Sequence, residues 1–233
     1  MVKLGENSTD MPFPSLRSGR YVRPSLTLIA SLAEFASQIS SLRNCGAPSA
    51  NGKNIIAVTG PMAAGKNYIC SLLEKEGWTS VDADLLVHEA INQSTNEILE
   101  AFSEPAEKEG INLKNADGTI NRRELGRLVF THKELLSRQE SIVYPKIIKM
   151  VNDFIEENEK TIINATVLFK TPELMQHCKK ILFVTAPLLT RLRRARRRDN
   201  LSYRQILRRF KAQRNLLKEY KKTGIPLLII KNK

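Results

Sequence analysis

The sequence predicts an α/β fold in which a parallel sheet of five strands is flanked by helices. Short apolar runs rich in β-branched residues recur along the chain, as is typical of strands buried on both faces. Helical patterns separate these runs, and alternating strands and helices imply parallel strands joined by right-handed crossovers. The first apolar run also passes directly into a glycine-rich loop followed by a helical pattern.

The first predicted strand, at residues 55–58, is followed by Gly60-x-x-x-x-Gly65-Lys66. This spacing is that of a phosphate-binding loop (P-loop), in which backbone amides surround phosphate oxygens and the lysine reaches the outer phosphates. The pattern also arises by chance in surface turns, but the strand before it and the helix after it favour phosphate binding. The next position of the loop, which usually supplies a metal-binding hydroxyl, is Asn67.

A second predicted strand, at residues 78–84, delivers Asp82 and Asp84 about twenty residues past the loop. The carboxyl ends of neighbouring parallel strands share one edge of the sheet, so we expect both carboxylates beside the phosphate site. There they can hold Mg²⁺ or accept a proton from an attacking hydroxyl. Capping of the next helix explains either aspartate alone, whereas the presence of both favours a role in metal binding or proton transfer. His88 follows Asp84 by one helical turn and can face the same site.

Three further strands are predicted at residues 161–165, 181–185 and 225–230. Residues 85–160, which separate the two aspartates from the third strand, show helical spacing of their apolar residues. Ser94, Asn121 and Thr131 each stand three residues before a glutamate, which is the spacing of a helix-capping box. We therefore predict a helical insert with helices that begin at these positions.

The positive charge of the chain is concentrated in residues 191–222. This segment holds fourteen Lys/Arg and two Asp/Glu, a local charge of +12, whereas the whole chain carries +13. Such a segment suits a lid whose arginines close over a triphosphate, and Arg194 and Arg198 lie one helical turn apart. The surplus charge also suits a nucleic-acid-associated ATPase, although aromatic residues for stacking bases are sparse there.

Length and composition limit the classes of protein to which the chain can belong. With 233 residues, 42% of them hydrophobic, the chain can bury a substantial core. It has no run of 18 apolar residues, so no transmembrane helix is predicted. The three cysteines are odd in number and widely separated, which indicates reduced thiols, and together with the three histidines they show no metal-ligand spacing. Because a protein that uses ATP belongs where ATP is available, we predict a cytoplasmic protein. The residues carry no indication of oligomeric state.

The first fifty residues imitate a secretory signal, with arginines before an apolar stretch and small residues after it. The imitation is poor because Glu34 interrupts the apolar stretch. We interpret residues 1–52 as an extension that is disordered or loosely packed, followed by a single domain over residues 53–233.

Taken in order, these motifs resemble the dephospho-CoA kinase family, which catalyses the last step of coenzyme A synthesis. Besides the P-loop and Asp82-Ala83-Asp84, the matching segments are residues 117–126 (Asp-Gly-Thr…Arg-Arg-x-x-Leu-Gly), 144–147, 167–169, 194–199 and Gln213. The segment 117–126 is the more diagnostic one, since many families share the P-loop.

The resemblance implies transfer of the ATP γ-phosphoryl group to the ribose 3′-hydroxyl of dephospho-CoA, with Mg²⁺. It divides the domain into a core (about 54–84, 161–190 and 223–233), an insert that binds the acceptor (about 85–160) and a lid (about 191–222). The residues it implies to be catalytic are Lys66, Asp84 (as general base), Arg194 and Arg198. The residues implied to bind ATP are Gly60, Pro61, Met62, Ala63, Ala64, Gly65, Lys66, Asn67, Tyr68 and Asn232. Those implied to bind the acceptor are Asp82, Asp84, His88, Arg122, Arg123 and Tyr144, and those implied to hold the metal are Asn67 and Asp82.

The chain departs from the family pattern at several positions. Asn67 replaces the metal-binding hydroxyl, and Tyr144 stands where the family usually has histidine. Thr166 and Lys170 stand where it usually has proline and glutamate. The family also continues past the last strand into a turn near the adenine and a closing helix, so the short end after Asn232 predicts a weakened adenine pocket.

None of these departures removes Lys66, Asp84 or the lid arginines, so we interpret the chain as a divergent, active kinase. Two alternatives remain at this stage: a nucleic-acid-associated P-loop ATPase, and a catalytically weakened homologue that binds CoA-like ligands without turnover.

Overall fold

The computed structural model describes residues 52–232 and contains a parallel sheet of five strands. The strands are β1 (Asn54–Thr59), β2 (Thr79–Asp82), β3 (Lys160–Asn164), β4 (Lys180–Thr185) and β5 (Leu227–Lys231), in the spatial order β2-β3-β1-β4-β5. Every neighbouring pair is parallel. The predicted α/β fold with a five-stranded parallel sheet is confirmed, and the predicted strand bounds differ by two residues at most. The predicted extension lies outside the described residues except for Gly52.

Nine helices accompany the sheet in residues 52–232. They are α1 (Lys66–Glu74), α2 (Ala83–Gln93), α3 (Thr95–Lys108), α4 (Arg122–Thr131), α5 (Lys133–Glu157), α6 (Pro172–His177), α7 (Leu188–Asp199), α8 (Tyr203–Ala212) and α9 (Leu216–Lys222). A short 3₁₀ turn, Leu168–Lys170, follows β3. None of these helices is long and apolar enough to span a bilayer.

The three predicted helix caps have different outcomes. Asn121 caps α4, since its side-chain oxygen accepts from the backbone amide of Glu124 at 3.3 Å. Ser94 precedes α3 but makes no capping hydrogen bond from its side chain. The prediction for Thr131 is wrong: Thr131 is the last residue of α4, and its hydroxyl donates to the Leu128 carbonyl at 2.8 Å instead. Helix α5 begins after His132.

The sheet buries both of its faces, because successive side chains of β1 point to opposite sides. Ile55 and Ala57 pack into the larger core beneath the helical insert, whereas Ile56 and Val58 pack against α1 on the other face. A third, small cluster joins Met62 of the P-loop to residues of α7 and α8. The loop is thereby packed against the basic segment.

Replacing Tyr220 with phenylalanine is expected to lower the free energy of unfolding by about 1–3 kcal/mol. Tyr220 is fully buried, and its hydroxyl accepts from the Leu168 amide at 2.8 Å and donates to the Thr166 carbonyl at 3.2 Å. Without the hydroxyl, the Leu168 amide remains buried and unpaired. Urea denaturation measures the loss, and Tyr203→Phe is the matched control because Tyr203 is 58% exposed. Equal stabilities for the two variants would contradict the role of the buried hydroxyl.

Candidate active site

The P-loop between β1 and α1 depends on glycine at two positions. Gly60 has φ 148° and Gly65 has φ 98°, backbone conformations that residues with a side chain rarely adopt. A Cβ at Gly60 would lie 2.1 Å from the Val184 carbonyl oxygen, and one at Gly65 would lie 2.1 Å from Asn232 Nδ2. The loop therefore runs directly against β4 and the end of β5, and it leads into the N-terminus of α1, whose amides and dipole favour an anion.

Side chains distant in the sequence hold the loop backbone in place. Gln213 Oε1 accepts from the Met62 amide at 2.7 Å. Arg191 Nε donates to the Met62 carbonyl at 2.9 Å. The Ala64 carbonyl accepts from Asn232 Nδ2 at 2.9 Å and from Arg194 Nη1 at 3.3 Å. Arg194 and Asn232, predicted to contact substrate, therefore contact the loop itself.

Arg191 is part of the packing as well as a donor. Its guanidinium lies 4.1 Å from the centroid of the Phe210 ring, a cation–π contact. Burial lowers the pKa of Arg191 from its ordinary value, and its Nη2 is buried without a hydrogen-bond partner among residues 52–232. This arginine therefore attaches the basic segment to the loop.

A cavity of about 580 Å³ opens beside the P-loop, where β1, β2 and β3 end. Predicted site residues supply one part of its lining, and Thr166 after β3 together with residues of the insert and the basic segment supply the rest. The lining residues are Met62, Ala63, Lys66, Asn67, Asp82, Asp84, Leu85, Phe130, Thr166, Arg198, Arg209, Ala212 and Gln213. The aspartates thus lie beside the P-loop lysine, as the positions of the strand ends predict.

Lys66, Thr166 and Asp84 form a connected group in this cavity. Lys66 Nζ donates to Thr166 Oγ1 at 2.9 Å, and the Thr166 hydroxyl donates to Asp84 Oδ2 at 2.7 Å. Lys66 Nζ lies 4.0 Å from Asp84 Oδ2. Burial lowers the pKa of Lys66 from its ordinary value, and the nearby carboxylates of Asp84 and Asp82 partly offset this effect.

A second group of hydrogen-bonded residues lies at the ends of β2 and β3, around Asn164. Asp82 faces Asn164 across the β2–β3 pair. Asn164 Nδ2 donates to Asp82 Oδ2 at 3.1 Å and to Asn67 Oδ1 at 3.0 Å, so two oxygen atoms converge on one amide. The other oxygen of Asp82 accepts from the Asp84 amide at 3.1 Å and caps α2. Burial, and then the charge of Asp84, raise the pKa of Asp82.

The predicted acceptor residues divide between two places. Asp82 and Asp84 line the cavity described above, whereas Arg122 and Arg123 line a separate polar cavity of about 510 Å³ with Asn92. His88 lies near Arg122: burial, and then the positive charge of Arg122, lower the pKa of His88. The two arginines and His88 are therefore not part of the cavity that holds Lys66.

Tyr144 and Lys170 are linked through one glutamate of α5. Lys170 forms an ion pair with Glu140, which compensates the positive charge that the sequence places here. Tyr144 is half-buried, and its phenol pKa is raised by burial and by the charge of Glu140, to which it is hydrogen-bonded. These contacts account for both side chains without a ligand.

Several residues of the cavity were not among the predicted site residues. Thr166 follows β3 and lines the cavity, and Asn164 ends β3 and is hydrogen-bonded to Asn67 and Asp82 of its lining. Both carry side chains that are common in loops, so residue type alone gives no signal for them. Leu85 and Phe130 are large apolar residues that are 54% and 77% exposed, and they line the cavity. Gln213 belongs to a segment matched to the family but had no assigned role.

Taken together, the cavity can bind an anionic phosphate chain at the P-loop, with Lys66, Arg198 and Arg209 supplying positive charge. Asp84 is about half exposed within it and is available to receive a proton from a bound hydroxyl. This combination is that of a phosphoryl-transfer site.

Comparison with known proteins gives one consistent result. The family model for dephospho-CoA kinase matches residues 54–232. A dephospho-CoA kinase of Treponema denticola is 34% identical over 184 residues, covering 76% of this chain and 82% of that protein. The one from Treponema pallidum is 33% identical over 165 residues, covering 69% of this chain and 78% of its own length.

Two solved structures are similar to this chain. The Thermus thermophilus protein TT1252 is similar with a TM-score of 0.63 and 27% identity, over 78% of this chain and 89% of that one. A dephospho-CoA kinase from Campylobacter jejuni gives a TM-score of 0.51 and 25% identity over the same shares.

Proposed function

The chain belongs to the dephospho-CoA kinase family and is therefore a kinase, and we propose that it transfers the γ-phosphoryl group of ATP to the ribose 3′-hydroxyl of dephospho-CoA. One observation about the site carries this proposal: the P-loop lysine Lys66 and the carboxylate of Asp84 meet in a single cavity, 4.0 Å apart. The family supports the kinase over a nucleic-acid-associated ATPase.

The proposed reaction is a direct transfer without a covalent enzyme intermediate. The acceptor oxygen forms a bond to the γ-phosphorus while the bond from that phosphorus to the bridging oxygen of ADP breaks. The proton of the acceptor hydroxyl passes to Asp84, and ADP leaves with the bonding electron pair. Lys66 and the arginines that line the cavity stabilise charge on the transferring group, and the loose transition state requires proton removal only late.

The residues around Asn164 fit Mg²⁺. Mg²⁺ prefers oxygen ligands and usually takes one or two from the protein and the rest from phosphates and water. Asn67 Oδ1 and Asp82 Oδ2 converge here, and burial of Asp82 without a full counter-charge disfavours its ionised form. We propose that these two residues hold the ion, directly or through water. When bound, it would neutralise charge on the phosphates.

The insert and the basic segment are assigned roles from their place in the fold. We propose that α2–α5 form the acceptor-binding insert and that the basic segment over residues 191–222 is the lid. We also propose a cytoplasmic location, because ATP is available there.

Production of ADP in a coupled assay tests the function. With Mg-ATP, we expect ADP formation that requires dephospho-CoA. ADP formed without dependence on the acceptor would instead indicate an ATPase. Binding of dephospho-CoA with no ADP under any divalent metal would indicate a homologue that binds without turnover, and either result would overturn the proposal.

Replacing Asn67 with serine is expected to keep or raise kcat with Mg²⁺ and to change the ratio of activity with Mn²⁺ to that with Mg²⁺. The reason is that a hydroxyl is shorter than the amide and presents a different oxygen to the ion. Metal titrations at saturating substrates measure the ratio. The control is Asn96→Ser, an exposed position in the first turn of α3. An unchanged metal ratio in Asn67→Ser would argue against a ligand role.

A further inference from the structure

Thr166 contacts both groups on which the proposed reaction depends. Its hydroxyl donates to Asp84 Oδ2 at 2.7 Å, and its backbone amide donates to Asp84 Oδ1 at 3.3 Å. The same hydroxyl accepts from Lys66 Nζ at 2.9 Å. One residue therefore engages both oxygens of the carboxylate and also the ammonium group.

The direction of these hydrogen bonds is fixed by chemistry. An ammonium group can only donate, so the Thr166 oxygen must accept from Lys66. The single hydroxyl proton of Thr166 is then directed to Asp84, which as a carboxylate can only accept. Lys66 and Asp84 are 4.0 Å apart, beyond hydrogen-bond distance, and the hydroxyl lies between them.

Thr166 is itself held firmly where β3 ends. Its carbonyl accepts from the Tyr220 hydroxyl at 3.2 Å and from Thr59 Oγ1 at 3.3 Å. Tyr220 and Thr59 are both fully buried. Asp84, in contrast, is about half exposed in the first turn of α2, and in residues 52–232 its carboxylate has hydrogen bonds only to Thr166. The orientation of Asp84 is thus set by a residue anchored to the sheet.

We propose that Thr166 is a positioning residue for phosphoryl transfer, an inference that rests on the function proposed above. It holds the Asp84 carboxylate in the orientation that receives the acceptor's proton. It also holds Lys66 at the cavity until phosphate oxygens take over its hydrogen bond. The role requires both the hydroxyl and the backbone amide of this residue.

Steady-state kinetics of Thr166→Val test the hydroxyl, because valine keeps the shape and the backbone amide. We expect kcat to fall about 10- to 100-fold, the range for a lost hydrogen bond to a charged group, while KM for ATP changes less than about threefold. Thr166→Ser, which restores the hydroxyl, should recover most of kcat. Thermal melting of each variant confirms that it is folded. Wild-type kcat in Thr166→Val would overturn the inference.

A double-mutant cycle separates positioning from a merely structural effect. If Thr166 acts through Asp84, then adding Thr166→Val to Asp84→Asn should cause little further loss of kcat, less than about threefold. Losses that multiply would overturn the role. The wild type in the same assay separates the two hypotheses: absence of acceptor-dependent ADP would overturn the function and this role together, whereas wild-type turnover with unaffected Thr166→Val would overturn only the role.

Discussion

Lys66→Ala is expected to lower kcat about a thousandfold or more. Lys66 is the cationic side chain of the P-loop, its side chain is only 13% exposed, and its ammonium lies at the cavity within 4.0 Å of Asp84. At a position so little exposed to solvent, a positive charge stabilises a transferring phosphoryl group far more than it would in water. Alanine removes this charge and leaves the loop backbone, so ATP binding should weaken much less than turnover.

Coupled ADP release and a direct ATP-binding titration measure the two effects separately. Lys133→Ala is the matched control, because Lys133 is exposed at the start of α5 and does not line the cavity. Melting temperatures should confirm that Lys66→Ala is folded. We expect it to fold, because burial disfavours the charge of Lys66 in the wild type and alanine removes that charge. A Lys66→Ala enzyme that retains a tenth or more of wild-type kcat would contradict the proposed role.

The fold was predictable because its signals are local. Four of the five strands contain a short apolar run of their own, whereas β2 has one apolar residue, Val81. The P-loop needs glycines at fixed offsets, which the φ values of Gly60 and Gly65 explain. The place of Asp82 and Asp84 beside the loop followed from a topological rule about strand ends. The spatial order of the strands was not predicted, because spacing along the chain does not encode which strand lies next to which.

The contacts that hold the site together depend on that order. Thr166 follows Asp84 by 82 residues and Lys66 by 100, and it meets them only because β3 lies between β2 and β1. Gln213 reaches the Met62 amide across 151 residues. Neither pairing leaves a mark in the local pattern, so the sequence alone assigned no site role to either residue.

The charges read from the sequence were misleading about the site for a similar reason, because their partners are distant in the chain. Lys170 stands where the family usually has glutamate, yet Glu140, 30 residues earlier, forms an ion pair with it. Part of the basic segment is also structural, since Arg191 and Arg194 contact the loop backbone. A count of charged residues cannot distinguish a side chain that contacts the rest of the protein from one that binds a ligand.

Asp84→Asn is expected to lower kcat about a hundredfold and to leave the Kd for ATP nearly unchanged. Asparagine has the same shape but cannot take the proton of the acceptor hydroxyl. The loss should lie at the lower end of the range for general-base catalysis, since a loose transition state transfers the proton late. ATP binding depends mainly on the P-loop, which Asp84 does not contact through hydrogen bonds in residues 52–232.

Single-turnover phosphoryl transfer and equilibrium ATP binding measure these two quantities. Asp153→Asn is the matched control: it removes an exposed carboxylate that pairs with Lys149 on the surface of α5, an interaction of little energetic value. Asp84 is about half exposed and lines the cavity, whereas Asp82 is less exposed and both of its oxygens are hydrogen-bonded within the α2 cap and to Asn164. We therefore propose Asp84, not Asp82, as the group that exchanges a proton with substrate. Wild-type kcat in Asp84→Asn would exclude Asp84 as the base. A large rise in the Kd for ATP at unchanged kcat would instead assign it to nucleotide binding.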